Sequence, residues 1–518
     1  MNRIIITCCL LFTQALFAYA GGIIPQPAYM QEGKGQLLLT PQSGISSSGD
    51  CANEEAILRK WLADDYGIKL GGSGAKSATR IILVADPVKF SAMGKEGYVL
   101  LVTPQAITIQ APGAAGIFYG IQSLRQLAQA SPGKKTVQVN CIEVKDQPRF
   151  RIRSFMLDEG RYFKGGKIVK KLLDEMAVLK MNTFHWHLTD DQGWRLQIKK
   201  YPLLTQVGGQ RDSSQTGTWS SSTYDGKAHK GFYTQDEVKE IIRYAAERHI
   251  NIIPEIEMPG HASAAIAAYS WLGTSKKQVS VPVKFGVMYD IFDVTDPKVV
   301  AFLQDVLDEV IALFPSPVIH IGGDEVKYDQ WVISTAVAAY MKANKMASPA
   351  DLQIGFTNEM SRYIEKKGKR MMGWNDIMGS KLHEYNDALP VTGTLSSSAI
   401  IHFWKGDNDM IKDAAARSHD IVNSFHEFTY LDYDYTSTPL EKAYGFDPVP
   451  AGLEERFHAR IIGTGCQMWG EWIPDEVSMN RQVFPRLAAY AEVGWTAISR
   501  KSFDQFKAAM PFFYDRWK

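Results

Sequence analysis

From Pro148 onward, the chain alternates short apolar runs with longer stretches in which apolar residues recur at helical spacing. The apolar runs predict eight strands: Ser154–Leu157, Thr183–Leu188, Asn251–Ile256, Val318–Ile321, Arg370–Trp374, Ala399–Phe403, Asp420–Ser424 and Ile461–Met468. The helical spacing is clearest in three stretches between them: Lys167–Lys180, Thr234–His249 and Pro297–Phe314. Strands that alternate with helices form a parallel sheet, and eight such units are the count for a (β/α)8 TIM barrel.

Two of these helices also carry start signals. Thr234 and Glu237 have the spacing of a capping box, in which each side chain bonds the other residue's backbone N–H. Pro297 stands at the first position of another helix, where a missing N–H costs nothing.

The part of the chain before Pro148 has a mixed pattern. Ala52–Asp65 and a stretch that ends at Leu127 are helical in spacing, whereas Arg80–Ala85, Gly97–Val102 and Ala106–Gln110 indicate strands, the last two as a hairpin. We predict an α/β protein in which an α+β accessory domain over residues 21–147 precedes a catalytic barrel over residues 148–518.

Residues 1–20 have the pattern of a signal peptide. Arg3 is followed by the apolar run Ile4–Phe17 and by Ala18-Tyr19-Ala20, a small-x-small cleavage site. The run is too short and wrongly flanked for a transmembrane anchor. We therefore expect an exported protein, whether periplasmic, cell-surface or secreted.

The side chains that can do chemistry are concentrated just after the predicted strands. In strand order they are Asp158 and Arg161; His185, His187, Asp190 and Asp191; Glu255, Glu257 and His261; His320, Asp324 and Glu325; Trp374 and Asp376; Trp404; Tyr430 and Asp432; and Trp469 and Glu471. Barrel enzymes assemble their active sites at the carboxyl ends of the strands, from the loops that follow them. A random scatter would place as many such residues before strands as after them.

The sharpest motif is the run from His320 to Glu325. Its two glycines allow a tight turn after an apolar strand, so that Asp324 and Glu325 project into the barrel mouth. Two adjacent carboxylates repel, which raises the pKa of one and favours a retained proton. A protonated carboxylic acid is what a glycosidic oxygen needs as it leaves.

Composition and charge exclude several alternatives. The 57 basic and 56 acidic residues give a formal charge of +1, so the chain lacks the excess positive charge that binding to nucleic acid or to an anionic membrane requires. Beyond the signal peptide only Cys51, Cys141 and Cys466 remain, neither a disulfide framework nor a metal site. The 12 Trp and 22 Tyr suit sugar binding and equally suit a large core.

Six segments, in this order, resemble family 20 of the glycoside hydrolases, the β-N-acetylhexosaminidases. They are Leu157–Arg161, Phe184–Arg195, Pro254–His261, His320–Glu325, Gly373–Asp376 and Gln467–Trp472. The stretch Gly116–Leu127 is similar to the accessory domain that precedes the barrel in that family. The resemblance covers nearly the whole chain after the signal peptide.

The resemblance implies a role for each matched position near the reacting bond. Glu325 is expected to act first as general acid and then as general base. Asp324 is expected to orient the substrate's 2-acetamido group, whose carbonyl oxygen attacks the anomeric carbon to give an oxazolinium intermediate with retention. Tyr430 is expected to donate a hydrogen bond to that carbonyl. This substrate-assisted route is an exception to the scheme with two enzyme carboxylates.

The remaining matched positions imply an exo-acting pocket for a terminal β-linked N-acetylhexosamine. Arg161 and Glu471 are expected to bind ring hydroxyls, with Asp432 assisting. The expected pocket walls are Trp374, Trp404 and Trp469. Asp190 and His261 are expected to form a relay behind Glu325. We expect structural roles for His185 and His187, and we leave Asp191 and Asp376 undecided.

Three alternatives make different predictions. A metal-dependent hydrolase would use His185 and His187 as ligands, although the Trp-rich remainder does not suit a metal cage, and we expect no metal or cofactor. A retaining glycosidase with Glu471 as nucleophile would cleave plain β-glucosides as well as 2-acetamido analogues. A glycan-binding protein would bind without turnover. The sequence leaves open the choice between N-acetylglucosamine and N-acetylgalactosamine, the natural glycan and the oligomeric state.

Overall fold

The computed structural model describes residues 22–71, 79–130, 135–383 and 388–518. The predicted signal peptide lies outside the described residues. Within these ranges, no helix combines the length and the apolar character needed to cross a membrane.

The barrel consists of eight parallel strands that pair in chain order. They are β8 (Ile152–Asp158), β9 (Thr183–His187), β10 (Asn251–Glu255), β11 (Val318–His320), β12 (Arg370–Trp374), β13 (Ile400–Phe403), β14 (Ile421–Asn423) and β15 (Ile461–Met468). Parallel pairing of β15 with β8 closes the ring, in a register that places Gly463 beside Ile152. The predicted TIM barrel is confirmed, with each predicted strand within two residues of its observed bounds.

Side chains inside the barrel form layers because alternate residues of a strand point inward. One apolar layer comprises Ile253, Val318, Met372, Ile400, Val422 and Ile462. Two residues further along four of these strands, the next inward layer is polar and contains Glu255, His320, Trp374 and His402, all buried. The barrel interior therefore changes from apolar to ionisable just below its carboxyl end.

The helices of this part of the chain lie in the connections between the barrel strands or, for the last four, after β15. They are α3 (Gly166–Val178), α4 (Leu203–Gln206), α5 (Gln235–Ala246), α6 (Ser263–Ala268), α7 (Pro297–Leu313), α8 (Asp329–Ile333), α9 (Thr335–Ala343), α10 (Pro349–Lys366), α11 (Asn408–Ala416), α12 (His426–Thr429), α13 (Leu440–Gly445), α14 (Glu476–Val483), α15 (Arg486–Trp495), α16 (Phe503–Ala509) and α17 (Pro511–Arg516). The expected capping box starts α5, where Thr234 and Glu237 bond reciprocally, and Pro297 opens α7 behind the cap Asp296.

The accessory domain is an α+β sheet with two helices, α1 (Ala52–Tyr66) and α2 (Ala114–Leu127). Its strands are β1 (Tyr29–Leu39), β2 (Gly44–Ser48), β3 (Arg80–Ala85), β4 (Tyr98–Val102), β5 (Ala106–Ala111), β6 (Gln129–Ala130) and β7 (Val137–Asp146), in the spatial order β1-β7-β4-β5-β3-β2 with β6 beside β7. The antiparallel β4–β5 hairpin agrees with the sequence pattern.

Paired acidic and basic side chains join this domain to the barrel. Lys180 Nζ lies 3.1 Å from Asp146 Oδ2, and both side chains are fully buried. Arg153 Nη2 lies 2.7 Å from Glu96 Oε1, and His249 Nε2 lies 2.8 Å from Glu54 Oε1. Each pair takes its acid from the accessory domain and its base from the barrel.

The accessory sheet is larger than the sequence predicted, because the pattern did not indicate β1, β2, β6 or β7. Near the C-terminus, α16 and α17 are separate helices, and α17 begins at Pro511, which has no backbone N–H to continue the preceding helix. Cys51, Cys141 and Cys466 are free and buried.

Candidate active site

The turn after β11 places two carboxylates in the barrel mouth. Gly322 and Gly323 have φ of 64° and 88°, and Glu325 itself lies in the left-handed region at 53°. A Cβ at Gly322 would fall 1.8 Å from a carboxylate oxygen of Glu257. Only glycine fits that position, so the motif's glycines are required by both backbone geometry and space.

Asp324 is almost fully buried, and its Oδ1 has no hydrogen-bond partner among the described residues. Burial, with the negative charges of Asp376 and Glu325, raises the pKa of Asp324 well above its usual range. A buried acceptor without a partner is costly, so Asp324 Oδ1 is available for a donor from a ligand.

His261 stands between this pair and two further carboxylates. Its Nε2 lies 3.8 Å from Asp324 Oδ2 and 3.7 Å from Glu325 Oε2. Its Nδ1 lies 3.1 Å from Asp191 Oδ2 and 3.4 Å from Asp190 Oδ1. These acids hold the pKa of His261 well above its usual range, so the imidazole is charged. Asp191, which sequence reasoning left undecided, makes the shorter contact.

Asp376, also undecided from the sequence, lies directly behind Glu325. Its Oδ1 accepts the backbone N–H of Glu325 at 3.2 Å and lies 2.7 Å from His383 Nε2, and its Oδ2 accepts Trp404 Nε1–H at 2.8 Å. His383 Nδ1 is 3.7 Å from Glu325 Oε1. Sequence reasoning missed His383, because it lies in a loop with no strand or motif to mark it.

Aromatic rings line the mouth beside the carboxylates. The Tyr430 ring lies 6.1 Å from Trp404, nearly parallel to it, and 5.9 Å from Trp469. Trp374 and Trp469 are also 5.9 Å apart. Burial raises the pKa of the Tyr430 phenol well above its usual range, so its hydroxyl keeps a proton that it can donate. Flat apolar rings suit the C–H face of a sugar, and the Tyr430 hydroxyl can donate a hydrogen bond to a polar group beside it.

Arg161 anchors the opposite part of the mouth. Its Nη1 lies 2.9 Å from Asp190 Oδ2, its Nη2 lies 3.9 Å from Glu471 Oε1, and its guanidinium stands 5.2 Å from the Trp469 ring centroid. These acids raise the pKa of Arg161, and its Nε donates to Gln192 Oε1 at 3.1 Å. The guanidinium group of Arg161 is therefore always charged, and its contacts fix its orientation.

Two acids complete this part of the mouth. Desolvation by the surrounding protein, with the nearby charge of Glu471, raises the pKa of Asp432 to about 8. Burial also raises the pKa of Glu471, against the attraction of Arg161. Asp432 Oδ1 has no hydrogen-bond partner among the described residues. Both acids are therefore poised to bind hydroxyl groups.

Contacts link the predicted site residues into one site. They run from Arg161 through Asp190 and His261 to the Asp324–Glu325 pair, and from Asp376 through Trp404 to Tyr430. His185 and His187 lie deeper in the barrel, against Glu255.

Several ligand-type clusters in the described ranges have metal-like spacing. The four sets are His185, Glu255 and His320; His187, Glu255 and Glu257; Asp190, Asp191 and His261; and His261, Asp324 and Glu325. Charged partners and hydrogen bonds within the protein already account for most of their ligand atoms.

A parallel eight-stranded barrel whose mouth combines paired carboxylates, aromatic walls and an arginine clamp defines a glycoside hydrolase. Comparison with known proteins agrees with this class. The model of glycosyl hydrolase family 20, catalytic domain, matches residues 150–498, and the model of domain 2 of the same family matches residues 20–147. The chain belongs to glycosyl hydrolase family 20.

Named relatives are similar over most of the chain. A β-hexosaminidase of Porphyromonas gingivalis is 34% identical over 93% of this chain, which spans 62% of that protein's length. One from Vibrio furnissii is 34% identical over 91% of this chain and 76% of its own.

Solved structures are similar as well. A β-N-acetylhexosaminidase of Bacteroides fragilis superposes with a TM-score of 0.80, at 31% identity and 96% coverage of both chains. A Vibrio harveyi exo β-N-acetylglucosaminidase in complex with N-acetylglucosamine gives a TM-score of 0.82 at 30% identity, over 96% of this chain and 77% of that one.

Proposed function

We propose that this protein is an exo-acting β-N-acetylhexosaminidase that retains the anomeric configuration through substrate-assisted catalysis. The observation that carries the proposal is the Asp324–Glu325 pair at the end of a single strand, beside the protonated Tyr430 hydroxyl. Neighbouring carboxylates on one strand cannot straddle a sugar ring. They can serve the leaving oxygen and the acetamido group of the same sugar.

In the first step, Glu325 gives its proton to the glycosidic oxygen as the C1–O bond breaks. The substrate's acetamide oxygen forms the new bond to C1, giving an oxazolinium ion. Asp324 Oδ1, buried and without a protein partner, accepts the acetamide N–H, and Tyr430 donates to the attacking oxygen. In the second step, Glu325 takes a proton from water as that water attacks C1, the bond between C1 and the acetamide oxygen breaks, and the acetamido group is restored with the anomeric configuration retained.

The sugar ring rests in the aromatic pocket while its hydroxyls bind the charged end. Trp374, Trp404 and Trp469 surround the acetamido methyl and the ring face. Arg161, Glu471 and Asp432 hold the hydroxyls of the terminal unit. Asp190 and His261 tune Glu325 from behind, at the distances described above.

The exo mode is supported by the loops beyond Glu471. Trp472 packs edge-on against Phe285 and Trp219, each at 5.3 Å. Gln192, which orients Arg161, also donates to the carbonyl of Lys284 at 3.1 Å. These contacts hold the loops beside Arg161 and Glu471, where a covered pocket end would admit a terminal unit and exclude an internal one.

We further propose that the substrate is an oligosaccharide or glycoconjugate with a terminal β-linked N-acetylhexosamine, met outside the cytoplasm. The signal pattern of residues 1–20 supports export. Fractionation of cells that express the full chain, with N-terminal sequencing of the processed protein, tests this location outside the cytoplasm. A processed start at Gly21 supports export, and an uncleaved cytoplasmic chain contradicts it.

A stable thiazoline analogue of the oxazolinium ion tests the mechanism, because it resembles the reactive intermediate and should bind far more tightly than product. Asp324→Asn should weaken the thiazoline much more than it weakens N-acetylglucosamine. Proton NMR of the early reaction should show the β-anomer first. Inhibition no tighter than product, or an α-anomer as first product, would rule out the proposed route.

A further inference from the structure

We call Trp374 and Trp469 the pocket floor. The buried carboxylate of Glu255 lies beneath this floor, out of reach of any substrate. Glu255 Oε1 accepts the indole N–H of Trp374 at 2.7 Å and lies 2.9 Å from His320 Nδ1. Its Oε2 lies 2.6 Å from His187 Nδ1 and 2.9 Å from His185 Nε2. Glu255 is completely buried and contacts side chains from three other barrel strands.

His187 continues this contact toward the sugar-binding end. Its Nδ1 donates to Glu255, and its Nε2 lies 2.9 Å from Asp190 Oδ2. The same Asp190 oxygen lies 2.9 Å from Arg161 Nη1. The His187 ring also packs edge-on against Trp469 at 5.1 Å. Trp374, Trp469 and Arg161, three groups that we place around the sugar, thus all converge on one buried Glu–His pair.

We propose that Glu255 and a charged His187 form a positioning ion pair that fixes the pocket floor relative to the arginine clamp. The inference rests on the proposed function and adds to it a pair of residues that never touch substrate. Its physical basis is that a charged pair in a dry interior holds its partners in one geometry, provided every donor and acceptor is used.

The charges around His187 support this assignment. Glu255, Asp190 and the nearby Asp158 raise the pKa of His187 to about 10, against desolvation. Glu257 Oε1 faces it at 3.9 Å, but burial raises the pKa of Glu257 so that it stays protonated.

Two other histidines of the layer, His320 and His402, do not share the charge. Burial lowers the pKa of His320 to about 4 and lowers that of His402 as well. His185 lies beside Glu255 in the same layer. The positive charge of His187 is matched by the negative charge of Glu255, whose pKa the neighbouring histidines hold well below its usual range.

The test compares Glu255→Gln with a matched control, Glu54→Gln. Glu54 is also buried and pairs with a histidine, His249, at 2.8 Å, but it lies at the interface with the accessory domain. Both variants lose a buried Glu–His pair, so both should lower the melting temperature. Only Glu255→Gln should lower kcat/KM on an aryl β-N-acetylglucosaminide, by about tenfold or more, because Trp374, Trp469 and Arg161 move relative to one another.

The pH profile separates positioning from mere stability. Without Glu255, desolvation lowers the pKa of His187 from its wild-type value of about 10. The kcat/KM profile of Glu255→Gln should therefore gain an ionisation at lower pH that the wild type and Glu54→Gln lack. A profile parallel to the wild type, or a loss of activity equal to that of Glu54→Gln, would overturn the proposal.

A readout independent of turnover keeps the proposal distinct from the proposed function. Nitrogen-15 NMR of labelled histidines, with His187→Gln to assign the signal, should show both His187 nitrogens protonated at pH 8 in the wild type and not in Glu255→Gln. Absence of hydrolysis by the wild type would contradict the proposed function alone. A His187 that stays doubly protonated in Glu255→Gln would overturn the ion pair whatever the activity.

Discussion

Asp324 and Glu325 are neighbours in the chain, yet their surroundings separate their tasks. Asp324 is buried against other acids, and one of its oxygens lacks a protein partner among the described residues. Glu325 is partly exposed, has a left-handed backbone, and lies between His261 and His383. The left-handed turn directs these consecutive side chains into different surroundings, as the proposed division of their tasks requires.

Glu325→Gln should depend on the leaving group. A general acid contributes about 10²- to 10⁴-fold when the leaving oxygen needs a proton, and far less when it does not. We expect kcat/KM to fall by at least about 100-fold on unsubstituted phenyl β-N-acetylglucosaminide and by about tenfold or less on the dinitrophenyl analogue. Steady-state kinetics on both substrates measure this. Equal losses would remove Glu325 from the acid role.

Asp432→Asn should change how stability depends on pH. The pKa of Asp432 is raised from 3.8 to about 8 in the folded protein. Its carboxyl therefore favours folding below pH 4, and this contribution is lost as pH rises toward 8. The melting temperature of Asp432→Asn relative to wild type should rise between pH 5 and pH 8. A constant difference across that range would contradict the raised pKa.

Residues outside strands were the hardest to predict. Asp190 and His261 follow strands within recognisable segments, and the structure places them 3.4 Å apart. Asp191 and Asp376 could not be assigned, because adjacent acids look alike until the chain is folded. His383 could not be predicted at all, since a loop brings it to Glu325 from a stretch with no periodic pattern.

At the scale of elements, the barrel strands were predictable because each is buried on both faces and reads as an apolar run. β1 was missed for the opposite reason: most of its residues, from Tyr29 onward, are exposed at the sheet edge and polar. Pairing with β7, ten residues long, defines it, and such a partner is invisible to a local pattern.

The turn after β11 predicts a sharp contrast between two glycines. Gly322→Ala places a Cβ 1.8 Å from the Glu257 carboxylate at a φ of 64°. Gly226 has a similar φ of 62°, but a Cβ there would meet no other atom of the described residues within 4 Å, so Gly226→Ala is the matched control. The control should lose only about 1 kcal/mol of stability from backbone strain.

Gly322→Ala should lose more stability than this and, by moving Asp324 and Glu325, at least about 100-fold in kcat/KM. Chemical denaturation and steady-state kinetics of the two variants provide the comparison. Equal effects of both substitutions on activity would show that the turn does not set the geometry of the carboxylates.

At the scale of the whole molecule, buried ion pairs hold the accessory domain on the barrel. The Asp146 carboxylate bonds Lys180 Nζ, the Tyr98 hydroxyl at 2.8 Å and Trp495 Nε1–H at 2.9 Å. No apolar pattern predicts such contacts, because each partner is a single polar residue far from the others in sequence.

Asp146→Asn should therefore be costly, since it leaves the Lys180 charge buried and unpaired, at about 3–5 kcal/mol. Asp64→Asn is the control, because its partner Lys60 is exposed and such a pair contributes less than about 1 kcal/mol. Urea denaturation followed by tryptophan fluorescence compares them. A loss as small as that of the control would mean that the interface tolerates the free charge.

The most direct test of the central claim compares hydrolysis of an aryl β-N-acetylglucosaminide with that of the matching aryl β-glucoside, with a chelator present. Substrate assistance through Asp324 and Tyr430 predicts rapid cleavage of the first, almost none of the second, and no effect of the chelator. Comparable cleavage of both would contradict a reacting acetamide and would point to Glu471 as an enzyme nucleophile.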